Sequence, residues 1–102
     1  MKEWTRKEWE ATSKSKKLTA YYLYTPMCGT CEIASKMLAV IEEMSLDIEM
    51  GKANLNFVES VATDYQIESV PCLIITEHGK VREKIYAFHS VPFLYEKLKK
   101  NN

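Results

Sequence analysis

No stretch of this chain approaches the roughly 20 apolar residues that span a bilayer. Its start, Met1-Lys-Glu-Trp-Thr-Arg-Lys-Glu8, carries charges where a signal peptide needs an apolar run. Excess charge is missing as well. Fourteen Lys and Arg balance fourteen Asp and Glu, which leaves no electrostatic footprint for nucleic acid or for an anionic membrane. Glycine and proline number three each, and no repeat, low-complexity segment or linker divides the chain. We therefore expect one domain over residues 1–102, long enough to bury roughly 60–65% of its unfolded surface. With no targeting signal, the expected location is the cytoplasm. Cysteine is scarce too, at three residues, two of them spaced Cys28-Gly-Thr-Cys31. In a reducing compartment that spacing means redox chemistry or a metal more often than a structural staple.

What is present is organised around that pair. Residues 18 to 24, Leu-Thr-Ala-Tyr-Tyr-Leu-Tyr, are rich in β-favouring side chains. Beyond Cys31, the residues Ala34, Met37, Leu38, Ile41 and Met44 recur at helical spacing. Thr25-Pro26 marks the junction. Cys28 thus falls at or just before the first turn of a helix, where free N–H groups and the helix dipole stabilise an anion. A thiolate is such an anion, so this seat makes a cysteine reactive.

Taken in order, Thr5 and Glu8 predict an N-terminal capping box, with Trp4 packing on Trp9 as a hydrophobic staple. A polar connector, 13–17, leads to a strand over 18–25 and a helix over 29–45. Residues 46–50 read as a loop or the start of a strand, 51–57 alternate as a half-buried strand, and 59–66 read as a short helix. The apolar run 70–76 predicts a buried central strand with Pro71 at its start, since proline cannot donate to a ladder. His78-Gly79 predicts a tight turn into a strand over 80–88, closing an antiparallel hairpin. Ser90 caps a last helix with Val91, Leu94, Tyr95 and Leu98 as its buried stripe. Lys97, Lys99 and Lys100 end that helix, where the dipole favours them. The order predicts an α/β fold: a four-stranded mixed sheet, with parallel pairs and a closing antiparallel hairpin, sandwiched by helices.

Cys28-Gly-Thr-Cys31 opening a helix after a strand, with Val70-Pro71 starting a strand some forty residues later, resembles the thioredoxin family. The resemblance spans about residues 18 to 100 and implies the thioredoxin fold. It also implies that Cys28 is the exposed nucleophile, Cys31 the buried resolving thiol, and Pro71, in a cis bond, part of a clamp for substrate. Met27, Gly29, Thr30 and the backbone of Val70 would contact that substrate. The implied activity is reduction of protein disulfides by a monomer without a bound cofactor. Electrons would come from a thioredoxin-reductase-like donor or a low-molecular-weight thiol. A glutaredoxin-like reading is weaker, because Tyr86-Ala-Phe-His89 lacks the glycine pair that contacts glutathione.

Several positions depart from the family pattern. Tyr22 stands where thioredoxins bury an aspartate, Met27 replaces the usual tryptophan, Thr30 the usual proline and Ala87 a glycine. Lys52 matches a family lysine near the missing acid, so Tyr22 assisted by Lys52, or water, is expected to take the Cys31 proton. The Thr30 hydroxyl and N–H are both expected to donate to Cys28 sulfur. Cys72 reads as a small buried strand residue, or else as a third thiol beside the pair. Met27 and Phe88 read as an exposed apolar rim around Cys28, or else as ordinary scattered surface residues. A zinc site from Cys28, Cys31, Cys72 and either His78 or His89 has suitable atom types, yet nothing orders a fourth ligand. The competing function is a non-catalytic binding or metal-binding module.

Overall fold

The strand that precedes the cysteine pair is the centre of the molecule. In a computed structural model, which describes residues 1–99, β2 covers Leu18–Tyr24 and is buried along nearly its whole length. Its side chains alternate between two cores. Ala20 and Tyr22 face one side, and Tyr21 and Leu23 face the other.

Around it lie β1 (Lys2–Glu3), α1 (Arg6–Ser15), α2 (Gly29–Glu43), β3 (Glu49–Asn54) and α3 (Glu59–Asp64). The chain closes with β4 (Cys72–Glu77), β5 (Lys80–Ile85) and α4 (Val91–Leu98). The sheet order is β1-β3-β2-β4-β5. Both pairs made by β3 are parallel, and β4 runs antiparallel to β2 and to β5. Ala34, Leu38 and Ile41 of α2 pack with Leu94 and Leu98 of α4 on the Tyr22 face. Trp9 of α1 and Val61 of α3 cover the Tyr21 face. Among the described residues, no helix is long and apolar enough to cross a membrane.

The sheet therefore has five strands, where the sequence predicted four. The added one, β1, is two exposed polar residues held parallel to β3 by register pairs Lys2–Gly51 and Glu3–Lys52. β3 begins at Glu49, within the stretch read as a loop or the start of a strand, and stops at Asn54 rather than 57; the Asn54 side-chain oxygen accepts the Asn56 N–H at 3.0 Å. That bond turns Leu55–Phe57 into a single 3-10 turn instead of extending the strand. Pro71 lies just before β4 rather than inside it. Antiparallel pairing is also not confined to the closing hairpin, since it begins between β2 and β4.

Local chemistry explains the other boundaries. Thr5 Oγ1 accepts the Glu8 N–H at 3.1 Å, and Glu8 Oε1 accepts the Thr5 N–H at 2.9 Å. This is the predicted capping box, which stabilises the helix start by about 1 kcal/mol. The two tryptophans meet on a shared platform: Trp9 stacks on Tyr21 at 4.6 Å, and Trp4 lies 6.0 Å from the same ring. Thr19 and Thr76, directly opposed on β2 and β4, join their buried hydroxyls. His78 (φ 52°) and Gly79 (φ 83°) both sit in the left-handed region. A two-residue hairpin needs that geometry to match strand twist. In α4, Leu94 and Leu98 are buried while Val91 and Tyr95 are only half-buried. Lys100, expected at the end of that helix, lies outside the described residues.

Candidate active site

Cys28 is the N-cap of α2. Its backbone is extended (φ −135°, ψ 104°), and its Sγ accepts the Cys31 N–H at 3.1 Å. A cap normally uses a Ser, Thr, Asp or Asn oxygen for this bond. Here a sulfur occupies the place, with the unpaired amides of the first turn around it. Cys28 and Cys31 are joined as a disulfide, with their Cα atoms 5.2 Å apart. Cys28 is half-buried, whereas Cys31 is only 3% exposed.

The remaining members of the predicted site fall as follows. Thr30 Oγ1 lies 3.5 Å from Cys28 Sγ. The amide that reaches this sulfur belongs to Cys31, however, and not to Thr30, because the capping bond comes from the third residue past the cap. The Val70–Pro71 bond is cis, and Pro71 is buried. Val70 and Pro71 line a groove of about 370 Å³ with Thr30, Ile33, Met37 and Phe88. Gly29 is exposed, with open space where a Cβ would sit. Met27 is 97% exposed.

Phe88 does not form the expected rim with Met27. It is only 6% exposed and packs edge-on against Tyr22 at 6.0 Å, because it belongs to the core beneath α2 and α4. The large exposed apolar residue of the groove is Ile33, at 57%. Nothing in the sequence pattern distinguished it, since it lies on the solvent side of α2.

Tyr22 and Lys52 are register partners on β2 and β3, but their functional groups go separate ways. Tyr22 Oη donates to the Cys31 carbonyl at 2.6 Å and accepts from Ser35 Oγ at 3.1 Å. Burial pushes its pKa up, and the Ser35 hydroxyl opposes this in part. A phenol already donating its proton, and harder to ionise than usual, is not a base for Cys31 at neutral pH. Lys52 Nζ sits 3.9 Å from Glu3 Oε2 and over the Tyr24 ring at 5.7 Å. The pairing expected of these two residues is therefore replaced by a hydroxyl chain through Ser35. Ser35 stands four residues after Cys31, one helical turn on, and no motif in the sequence marks it.

Cys72 is a free, fully buried thiol. Burial drives its pKa up to about 12, opposed by a hydrogen bond with Tyr86 and by the charge of Lys84. It is packed among the Tyr21-side core residues. Among the described residues, no three His, Cys, Asp or Glu side chains are grouped to hold a metal ion.

A mixed sheet covered by helices on both faces, with a cysteine pair capping the helix after its central strand and a cis proline beside it, defines a thioredoxin-fold dithiol–disulfide protein. The Thioredoxin family model matches residues 1–100, and the chain belongs to the thioredoxin family. It is similar to thioredoxin-like protein YusE of Bacillus subtilis, with 52% identity over 81 residues, covering 79% of this chain and 76% of that protein. Identity to a thioredoxin of Staphylococcus aureus is 35% over 80 residues, 72% of each chain. Plasmodium falciparum thioredoxin shares the fold at a TM-score of 0.86 and 17% identity, covering 95% of this chain and 98% of that one.

Proposed function

We propose that this protein is a thiol–disulfide oxidoreductase that reduces protein disulfides in the cytoplasm, acting as a monomer. The observation that carries the reading is the Cys28 sulfur held as a helix cap by the Cys31 amide. In the dithiol form, the same amide and the dipole of a 15-residue helix favour Cys28 as thiolate.

The thiolate attacks one sulfur of the substrate disulfide. A Cys28–substrate bond forms, the substrate's own S–S bond breaks, and its second sulfur leaves as a thiolate that takes a proton from water. Cys31, deprotonated by solvent, then attacks Cys28 Sγ. The Cys28–Cys31 disulfide forms, the substrate leaves as its second thiol, and two electrons have passed to it. A thioredoxin-reductase-like protein or a low-molecular-weight thiol returns those electrons. Met27, Gly29, Thr30, Val70 and Pro71 would contact the substrate around the attacked bond.

The size of the benefit can be bounded. An ordinary thiol of pKa ~8.5 is about 3% ionised at pH 7, and one lowered to ~7 is about half ionised. Nucleophilicity falls with a slope of ~0.4–0.5 per pKa unit, so the net gain in attack is only a few-fold. The larger benefit lies in the second step, where a stabilised Cys28 thiolate is the better leaving group.

Insulin turbidity in the presence of dithiothreitol tests the reading. The wild-type protein should accelerate precipitation well above dithiothreitol alone, and Cys28→Ser should return the rate to that background. A wild-type rate equal to background would instead leave a thioredoxin-fold binding module.

A further inference from the structure

We propose that Tyr22, oriented by Ser35, is a positioning residue that holds the resolving Cys31 in place for disulfide closure. The proposal rests on the disulfide-exchange reading above.

Four neutral groups line up across the base of the site. Ser35 Oγ donates to Tyr22 Oη at 3.1 Å, and Tyr22 Oη donates to the Cys31 carbonyl at 2.6 Å. The N–H of that same peptide unit belongs to Glu32 and donates to the Cys28 carbonyl at 3.2 Å. The chain of hydroxyls therefore ends on the turn that carries both sulfurs, and each bond polarises the next. Because Ser35 supplies the proton to Tyr22 Oη, the phenol's own proton is directed at Cys31.

The other end of this brace is stiff. Tyr22 is fully buried on the central strand, opposite Leu73 of β4 and Lys52 of β3. Its ring is stacked on Tyr24 at 5.8 Å and met edge-on by Phe88 at 6.0 Å. Cys31 is held from both sides of its backbone: its N–H by Cys28 sulfur and its carbonyl by Tyr22. Such fixing raises the effective concentration of one reacting group at another. The phenol stays neutral because burial raises its pKa, so the brace keeps its donor across the pH range in which thiols exchange.

The reaction that reads this out is closure of the glutathione mixed disulfide. Cys31 sulfur bonds to Cys28 sulfur, the Cys28–glutathione bond breaks, and the released glutathione thiolate takes the proton that Cys31 lost. Closure is measured with glutathione redox buffers on wild type, Tyr22→Phe and Ser35→Ala, alongside the alkylation rate of Cys28 and the melting temperature. Tyr22→Phe should lower the closure equilibrium about fivefold, the change that one net hydrogen bond typically carries. At about 30 mV per tenfold, that moves the couple roughly 20 mV toward less negative potential. Cys28 alkylation should stay within about twofold of wild type. Ser35→Ala, which leaves the phenol but not its orienting donor, should fall about twofold in closure.

Closure equal to wild type in both variants, whatever their melting temperatures, overturns the proposal. If Tyr22→Phe does not fold, Ser35→Ala decides between the same two results. Failure of the wild-type mixed disulfide to close at all would instead count against the oxidoreductase reading.

Discussion

Cys31→Ser is expected to leave the protein bound to its substrate through Cys28, as a mixed disulfide that survives denaturing, non-reducing electrophoresis. The resolving thiol is one helical turn from the bond it must attack, and well-oriented intramolecular groups act at effective concentrations far above a millimolar external thiol. Removing it should lengthen the life of the mixed disulfide on the order of 10³-fold at millimolar dithiothreitol. Cys28→Ser should give no such adduct, because Cys31, at 3% exposure, offers no surface to a protein disulfide. The buried Cys72, with its pKa raised to about 12, cannot substitute for either. A short-lived adduct with Cys31→Ser, or an equal adduct with Cys28→Ser, would reverse the roles assigned here.

The second large effect lies away from the cysteines. Gly51→Ala should destabilise the protein by about 3 kcal/mol, the upper end of the usual cost of overpacking. For a domain of this size that corresponds to a drop of about 12–24 °C in melting temperature. A Cβ on Gly51 would fall far inside contact distance of the Trp4 ring atoms Cδ2, Cε3 and Cε2. The indole has little room to retreat. Its residue is fixed by the Trp4 N–H bond to the Lys52 carbonyl at 2.8 Å, and its carbonyl accepts from the Tyr21 hydroxyl at 2.8 Å. In a Trp4→Ala background the same glycine change should cost less than about 1 kcal/mol, since the clash is gone. Thermal or urea melts of the four proteins give the coupling directly. Additive losses would show that the ring is not what excludes a side chain at Gly51.

How much of the fold and the site is legible in the sequence depends on how local the cause is. The capping box of Thr5 and Glu8, the left-handed turn at His78-Gly79 and the position of Cys28 at a helix start are short-range features. Each is carried by a few adjacent residues, so residue types and spacing alone reveal it. β1 is different, because Lys2 and Glu3 are polar, exposed and too few to show a period. Their strand exists only because the edge of β3 accepts them. Phe88 differs from expectation for a related reason: the strand expected over 80–88 ends at Ile85, and the burial of Phe88 is decided by the Tyr22 ring across the core.

Tyr22 is the instructive case. Its departure from the family's buried acid is visible in the sequence, but its partners are not. Family analogy suggested Lys52, the adjacent-strand residue of the same register. The structure instead sends that ammonium to Glu3 and Tyr24, where it stays half-exposed, and gives the phenol a neutral donor from α2. A neutral hydroxyl chain, running from the exposed Ser35 to the buried Tyr22, avoids the desolvation that an ammonium or carboxylate beside the phenol would suffer. That preference is physical, yet only the helix and strand placed together bring Ser35 to the spot.

The helix-capping seat should acidify Cys28, and the pH dependence of its alkylation reports that acidity. In the fully reduced protein, iodoacetamide labelling of Cys28 followed by mass spectrometry from pH 5 to 10 gives the midpoint. The midpoint is expected clearly below the ~8.5 of an unstructured thiol. A midpoint at or above that value would contradict it.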